Sequence, residues 1–90
     1  MWQFRFTNRA KKQLRNYRHS AEFNLFENAM NRLNQEEDPT RLGEVKILGE
    51  LYCYSFRVTG SLRLLYTVDR ENKLIIIHRL GDHKESYGKD

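Results

Sequence analysis

A chain of 90 residues leaves room for one small domain spanning 1–90, with no separate cofactor or substrate domain beside it. Hydrophobic residues at 39% and charged residues at 31% fit a folded globular chain and not a disordered one. Sixteen Lys and Arg against twelve Asp and Glu leave a formal charge of +4, which turns attention to anionic partners.

That charge is unevenly spread. Residues 1–34 hold seven bases and two acids, residues 35–44 hold four acids (Glu36, Glu37, Asp38, Glu44) and one base, and residues 45–90 hold eight bases and six acids. Ten of the sixteen bases are Arg, whose planar fork matches phosphate where Lys is a point charge. The pattern points to nucleic acid or an acidic protein, with a plain solubility surplus as the competing reading. The longest aliphatic run, residues 74–77, falls far short of the ~20 residues of a membrane span. The opening Met1-Trp2-Gln3-Phe4-Arg5-Phe6 lacks the charged head and apolar stretch of a signal peptide. The lone Cys53 rules out an internal disulfide and a Cys-rich zinc site, and His19, His78 and His83 lack metal-ligand spacing. The expectation is a cytoplasmic protein with no metal, no cofactor and no membrane contact.

In chain order, Trp2, Phe4 and Phe6 alternate with Gln3 and Arg5, the period of a half-buried strand. Thr7 or Asn8 then caps a short helix whose apolar stripe is Ala10, Leu14 and Tyr17, with Arg9, Lys11, Lys12, Arg15 and Arg18 elsewhere on its surface. That basic surface reads equally as a contact for a polyanion or as a solvated face. Arg18-His19-Ser20 breaks the helix, and Ser20 is the expected N-cap of a second one over 21–33, with Phe23, Phe26, Met30 and Leu33 in register. Residues 34–43, with the single Pro39, form a hinge. Strands follow at 45–48, 51–58, 62–68 and 74–80, with a hairpin at Thr59-Gly60-Ser61, where Gly60 is expected at positive φ, and a loop at 69–73. The tail 81–90 is polar and short.

The order β-α-α-β-β-β(-β) predicts an α+β fold in which the N-terminal strand and two helices pack on one face of a small antiparallel sheet. Tyr52, Tyr54, Phe56, Leu62, Leu64, Tyr66 and Val68 take the covered face. Arg57 and Arg63 share the other, where like charges on paired strands are unfavourable unless an anion sits between them. Ordinary exposed sheet residues are the alternative. His78 reads as a hydrogen-bonded core histidine, Cys53 as a small filler, and Glu50 as a possible carboxylate base near the sheet. His19 has no role.

Lys46-x-Leu48-Gly49, then Tyr52-x-Tyr54-x-Phe56-Arg57-Val58, Leu62-Arg63-Leu64-Leu65-Tyr66-x-Val68 and Gly81-x-His83-Lys84-x-x-Tyr87 together resemble the RelE/ParE superfamily of bacterial and archaeal toxins. The likeness covers nearly the whole chain and is most specific in the Arg-Leu-Leu-Tyr strand and the basic, Tyr-ended tail. It implies the toxin of a type II toxin–antitoxin system. The tail chemistry is similar to the RelE-like branch, whose members are endoribonucleases that cut translated messenger RNA at the ribosome and so inhibit translation. It implies an acidic, partly disordered cognate antitoxin that neutralises the toxin, with operator DNA met only through the complex. By position, Arg57, Arg63, His83 and Tyr87 take catalytic roles, and Lys46, Ser55, Arg79 and Lys84 bind RNA. Two departures stand out. Ser55 stands where RelE carries a lysine proposed as general base, and the stretch between the tail's basic group and its tyrosine is shorter. The alternatives are a ParE-like gyrase inhibitor without nuclease activity and a non-catalytic RNA-binding module.

Such a nuclease needs a base for the 2′-hydroxyl, cations for the charge growing on phosphorus, and an acid for the departing 5′-oxygen. Arg57 and Arg63 supply the cations and are poor bases, because Arg stays protonated. An imidazole is the side chain best tuned for proton transfer, which singles out His83, while Tyr87 can stack on a splayed base or assist the proton transfer. The expected product ends in a 2′,3′-cyclic phosphate.

Overall fold

The computed structural model describes residues 1–87. The alternation at the N-terminus forms strand β1 (Gln3–Phe6). Thr7 turns the chain into helix α1 (Asn8–Asn16), its hydroxyl accepting from the Ala10 amide at 3.1 Å and donating to the His78 carbonyl at 2.9 Å. Helix α2 (Glu22–Gln35) follows. Ser20 does not cap it. Its hydroxyl donates instead to the Tyr17 carbonyl at 2.8 Å, and Ala21 holds the cap position with no side-chain bond. A 3-10 turn (Pro39–Leu42) is opened by Asp38, whose carboxylate accepts from the Thr40 amide. Then come β2 (Glu44–Leu48), β3 (Leu51–Arg57), β4 (Arg63–Asp69), β5 (Leu74–Gly81) and a last short helix, α3 (His83–Tyr87). The expected polar tail is thus helical up to Tyr87.

The five strands make one sheet in the order β1-β5-β4-β3-β2. The fold is α+β, as the element order predicted. Strand β1 joins the sheet itself and runs parallel to β5, from Gln3 opposite Leu74 to Phe6 opposite Ile77, while all other pairs are antiparallel. The β2–β3 turn uses Gly49 at φ 60°, and the loop before β5 uses Lys73 at φ 56°. Gly60 is not at positive φ. That turn is closed by the Val58 and Thr59 amides donating to the Leu62 carbonyl, and by the Thr59 hydroxyl accepting from the Ser61 and Leu62 amides.

Strand register separates the two faces. Tyr54 pairs with Tyr66 and Phe56 with Leu64 on β3 and β4, and Leu64 with Leu80, Tyr66 with Ile77 and Val68 with Ile75 on β4 and β5. These side chains meet Phe26, Ala29 and Leu33 of α2 and Ala10 of α1 in one core, where Phe26, Leu33, Leu64, Tyr66, Ile75, Ile77 and Leu80 are fully buried. Each such large apolar side chain contributes about 1.5–3 kcal/mol of transfer free energy. The register slips by one residue between Leu65 and Tyr66, so that His78 is the extra residue of β5. The slip keeps Ile77 and Leu80, three apart, on the helix side, and His78 bonds through Nε2 to the Thr67 hydroxyl at 2.8 Å. Burial and the neighbouring Arg79 push the His78 pKa down. It is hydrogen-bonded, as its strand context predicted, but half-buried and outside the core.

Trp2 ties the N-terminus to the end of α2. Its amide donates to Asn34 Oδ1 at 2.7 Å and its indole to the Glu36 carbonyl at 2.9 Å, with the Lys73 ammonium 4.4 Å above the ring. Among the described residues no helix is long and apolar enough to cross a membrane.

Candidate active site

The face turned away from α1 and α2 begins with alternation. Cys53, Ser55 and Arg57 on β3 point opposite to Tyr54 and Phe56, and Arg63 and Leu65 on β4 point opposite to Leu64 and Tyr66. This face is not wholly bare. Helix α3 packs on β4 and β5, and Leu65, Cys53 and Ser55 are buried. What stays open is a cavity of about 480 Å³, lined by Leu42, Glu44, Lys46, Ile47, Ser55, Arg57, Arg63, His83 and Tyr87. That volume lies within the ~300–1,000 Å³ usual for ligand clefts.

Arg57 ends β3 and Arg63 begins β4, and they are direct cross-strand partners. Arg57 is exposed. Arg63 Nη1 donates to the carbonyls of Thr59 (2.8 Å), Leu62 (3.1 Å) and Gly60 (3.2 Å), so the hairpin loop orients this guanidinium. His83 opens α3 and Tyr87 closes it, four residues apart and so on one side of the helix, with ring centroids 4.8 Å apart. The Tyr87 hydroxyl donates to Ser55 Oγ at 3.0 Å, which fixes the end of α3 to β3. Lys46 enters from β2, 3.6 Å from the Glu44 carboxylate.

Six of the eight residues singled out from the sequence therefore line one cavity: Arg57, Arg63, His83, Tyr87, Lys46 and Ser55. The other two lie elsewhere. Lys84 lines a neighbouring hollow of about 450 Å³ with Gly60, Ser61 and Asp82, which shares Arg63 and His83 as a common wall. Arg79 does not line the cavity. It donates to the Ser86 carbonyl at 3.1 Å beneath α3, and burial, followed by the nearby Arg9, lowers its pKa from the usual value. Cys53 is buried, and burial raises its thiol pKa, as suits a filler and not a nucleophile.

Three lining residues escaped the sequence reading, Leu42, Glu44 and Ile47, and of these Glu44 carries chemistry. Glu44 brings a carboxylate into an otherwise cationic cavity, directly opposite Ser55 on the β2–β3 pair. The signal was the two-residue step from Glu44 to Lys46, which places both on the face of Ser55. Glu50, the carboxylate considered from the sequence, sits exposed between β2 and β3 and does not line the cavity. Among the described residues no group of three or more His, Cys, Asp and Glu is arranged to hold a metal.

This two-layer α+β domain has the fold of RelE-like toxins. The model described as "ParE toxin of type II toxin-antitoxin system, parDE" matches residues 4–87, and the chain belongs to this family, within the RelE/ParE superfamily. No curated protein matches the chain. Among solved structures, the toxin–antitoxin complex RelBE2 of Mycobacterium tuberculosis is 27% identical with a TM-score of 0.69, over 91% of this chain and 98% of that one. The RelBE complex of Escherichia coli is 20% identical at a TM-score of 0.71, covering 91% and 96%. The archaeal RelE–RelB complex of Pyrococcus horikoshii is 24% identical at 0.65, covering 90% and 93%. The last two are similar in fold alone. The chain is a toxin of a type II toxin–antitoxin system.

Proposed function

We propose that this toxin is a RelE-like endoribonuclease that cuts translated messenger RNA at the ribosome, inhibiting translation in the cytoplasm. The observation that carries the reading is the pairing of Arg57 with Arg63 on a cavity that also takes in His83, Tyr87 and Glu44. Two adjacent guanidinium groups match a phosphate and the extra charge that a pentacoordinate phosphorus gathers. In the proposed step Glu44 takes the proton of the 2′-hydroxyl, and the 2′-oxygen forms its bond to phosphorus. The bond from phosphorus to the 5′-oxygen breaks as His83 hands that oxygen a proton. The products are a 2′,3′-cyclic phosphate and a free 5′-hydroxyl, so atoms and charge balance with no water consumed. Tyr87 stacks on the base next to the cut, and Lys46 steers the strand. Lys84, in the adjoining hollow, meets the next phosphate along the strand. Arg79, beneath α3, supports the RNA-binding face from behind.

The proposed partner off the ribosome is an acidic antitoxin segment. A groove of about 310 Å³ between α1 and α2 has Phe6, Leu14 and Phe23 beside Lys11, Arg15 and Arg18. Apolar surface next to three cations complements an amphipathic acidic segment that folds as it binds.

The test is induced expression with mapping of message ends in translating cells, beside an Arg57→Ala control. New 5′-hydroxyl ends within reading frames, absent in the control, support the nuclease. Intact messages beside arrested growth and broken DNA support a second reading, a gyrase-directed toxin. The match of residues 4–87 to the ParE model is what favours that alternative.

A further inference from the structure

We propose that Gln13 and Tyr17 are positioning residues, which hold α3 so that His83 and Tyr87 face Arg57 and Arg63. The inference rests on the nuclease reading for its functional meaning. Helix α3 has five residues, too few to be stable on its own. Asp82 and Glu85 form a reciprocal cap. Asp82 Oδ1 accepts from the Glu85 amide at 2.8 Å, and Glu85 Oε1 accepts from the Asp82 amide at 3.0 Å. That cap closes the first turn but does not say where the helix sits relative to the sheet.

Position comes from α1. Strand β1 pairs with β5 only over Leu74 to Ile77, so the far end of β5 lacks a strand on that side. Gln13 fills the gap. Its Oε1 accepts from the Leu80 amide at 2.9 Å, and its Nε2 donates to the Glu85 carbonyl at 2.9 Å, so one amide joins the end of β5 to α3. Four residues on, at the C-terminal cap of α1, the Tyr17 hydroxyl donates to Glu85 Oε1. The Tyr17 ring packs edge-on against Phe26 at 5.0 Å, so this donor is anchored in the core. Burial and the Glu85 carboxylate push the Tyr17 pKa up, which keeps the phenol a donor throughout the physiological range. Gly81 completes the latch. Its φ of +130° brings the backbone under the Glu85 side chain, and a Cβ there would lie 2.6 Å from Glu85 Oε1. Glu85 lies midway between His83 and Tyr87, so a shift of its carboxylate moves both rings together. A displacement of ~1 Å in such groups can cost ~10²-fold in rate.

The experiment compares Tyr17→Phe, Gln13→Met, Glu85→Ala and Glu85→Gln in ribosome-dependent cleavage. A parallel nuclear Overhauser measurement follows the Tyr87 ring and the Ser55 β-protons. Tyr17→Phe keeps the ring on Phe26, so the chain folds. The expected result for Tyr17→Phe, Gln13→Met and Glu85→Ala is a KM within about 2-fold of the parent, a kcat ~10–100-fold lower, and a weaker Tyr87–Ser55 signal. Glu85→Gln keeps an acceptor for Tyr17 and restores kcat to within about 3-fold. Parent-like kcat and parent-like Tyr87–Ser55 contact in both Tyr17→Phe and Gln13→Met would overturn the proposal, as would Glu85→Gln failing as badly as Glu85→Ala. If the parent protein cuts no message, the nuclease reading has failed, and the proton contact alone decides whether the latch holds α3.

Discussion

Arg57 stands directly opposite Arg63 at the closing rung of the β3–β4 pair. Like charges so placed repel, and a bound dianion relieves them. Sulfate is therefore expected to raise the melting temperature of the parent protein and to do much less for Arg57→Ala. The two arginines separate in the absence of anion. Arg63 is bonded to three loop carbonyls, so Arg63→Ala costs about 1–2 kcal/mol of stability, whereas exposed Arg57→Ala costs none. Under the proposed nuclease step, either change lowers cleavage ~10²–10³-fold. An equal sulfate response in the parent and Arg57→Ala, read by thermal melting, would show that no anion sits between them.

Tyr87 has two separable contributions, its ring beside His83 and its hydroxyl on Ser55. If the ring stacks on a base, Tyr87→Phe keeps most of the cleavage rate, while Tyr87→Ala loses the ~1–3 kcal/mol that such stacking supplies, about 5- to 150-fold. The hydroxyl acts on stability. A double-mutant cycle of Tyr87→Phe with Ser55→Ala, followed by urea unfolding, should return a coupling of about 0.5–1.5 kcal/mol. A coupling of zero would mean the bond does not hold α3 in solution.

The order of elements and the division of the sheet into an apolar and a cationic face were readable because β3 and the start of β4 alternate strictly. Once Tyr54, Phe56, Leu64 and Tyr66 are assigned to the core, Arg57 and Arg63 have to share the other side. Non-local pairings were harder. Nothing in Trp2-Gln3-Phe4-Arg5-Phe6 announces a parallel partner some seventy residues away, in β5. Helix α3 was missed because its sequence is polar, and it is sustained by Gln13, Tyr17 and the Asp82–Glu85 cap and not by propensity. Glu44 was hidden among the acids of the hinge, and only its pairing with Ser55 brings it to the cavity. Ser20 and Gly60 fit their local rules yet serve otherwise, because the Ser20 hydroxyl is spent on the Tyr17 carbonyl and the Thr59 hydroxyl closes the turn at Gly60.

His78 predicts a pH dependence of stability. Burial, then the nearby Arg79, lowers its pKa in the folded chain, so the unfolded chain binds more protons between the folded value and the unfolded value of ~6.5. Stability is full above that unfolded value and falls as pH drops towards the folded one, by less than the ~1.4 kcal/mol per pH unit that one proton allows. His78→Gln keeps a partner for the Thr67 hydroxyl and removes the titration. Urea unfolding at pH 7.5 and pH 5.5 should show a smaller loss for the variant than for the parent. Equal losses would move the titration to another group.

Gly81 carries a second stability prediction, with two causes that can be separated. Its φ of +130° suits glycine alone, and a Cβ would sit 2.6 Å from Glu85 Oε1 and 2.7 Å from Glu85 Cβ. The backbone strain costs ~1–3 kcal/mol, and the clash adds to it unless α3 moves. Gly81→Ala should therefore lose at least ~2 kcal/mol in urea unfolding. The double variant Gly81→Ala/Glu85→Ala removes the clashing carboxylate but leaves the φ penalty. It also gives up the Tyr17 and Asp82 bonds to that carboxylate. Measured against Glu85→Ala alone, the added alanine should cost less than it does in the parent, and the difference is the carboxylate's share of the clash, since the 2.7 Å approach to the Cβ of residue 85 stays. Identical costs in both backgrounds would show that the Glu85 carboxylate swings aside freely, and that the φ of Gly81 and the room it leaves for the Cβ of residue 85 are what the fold requires.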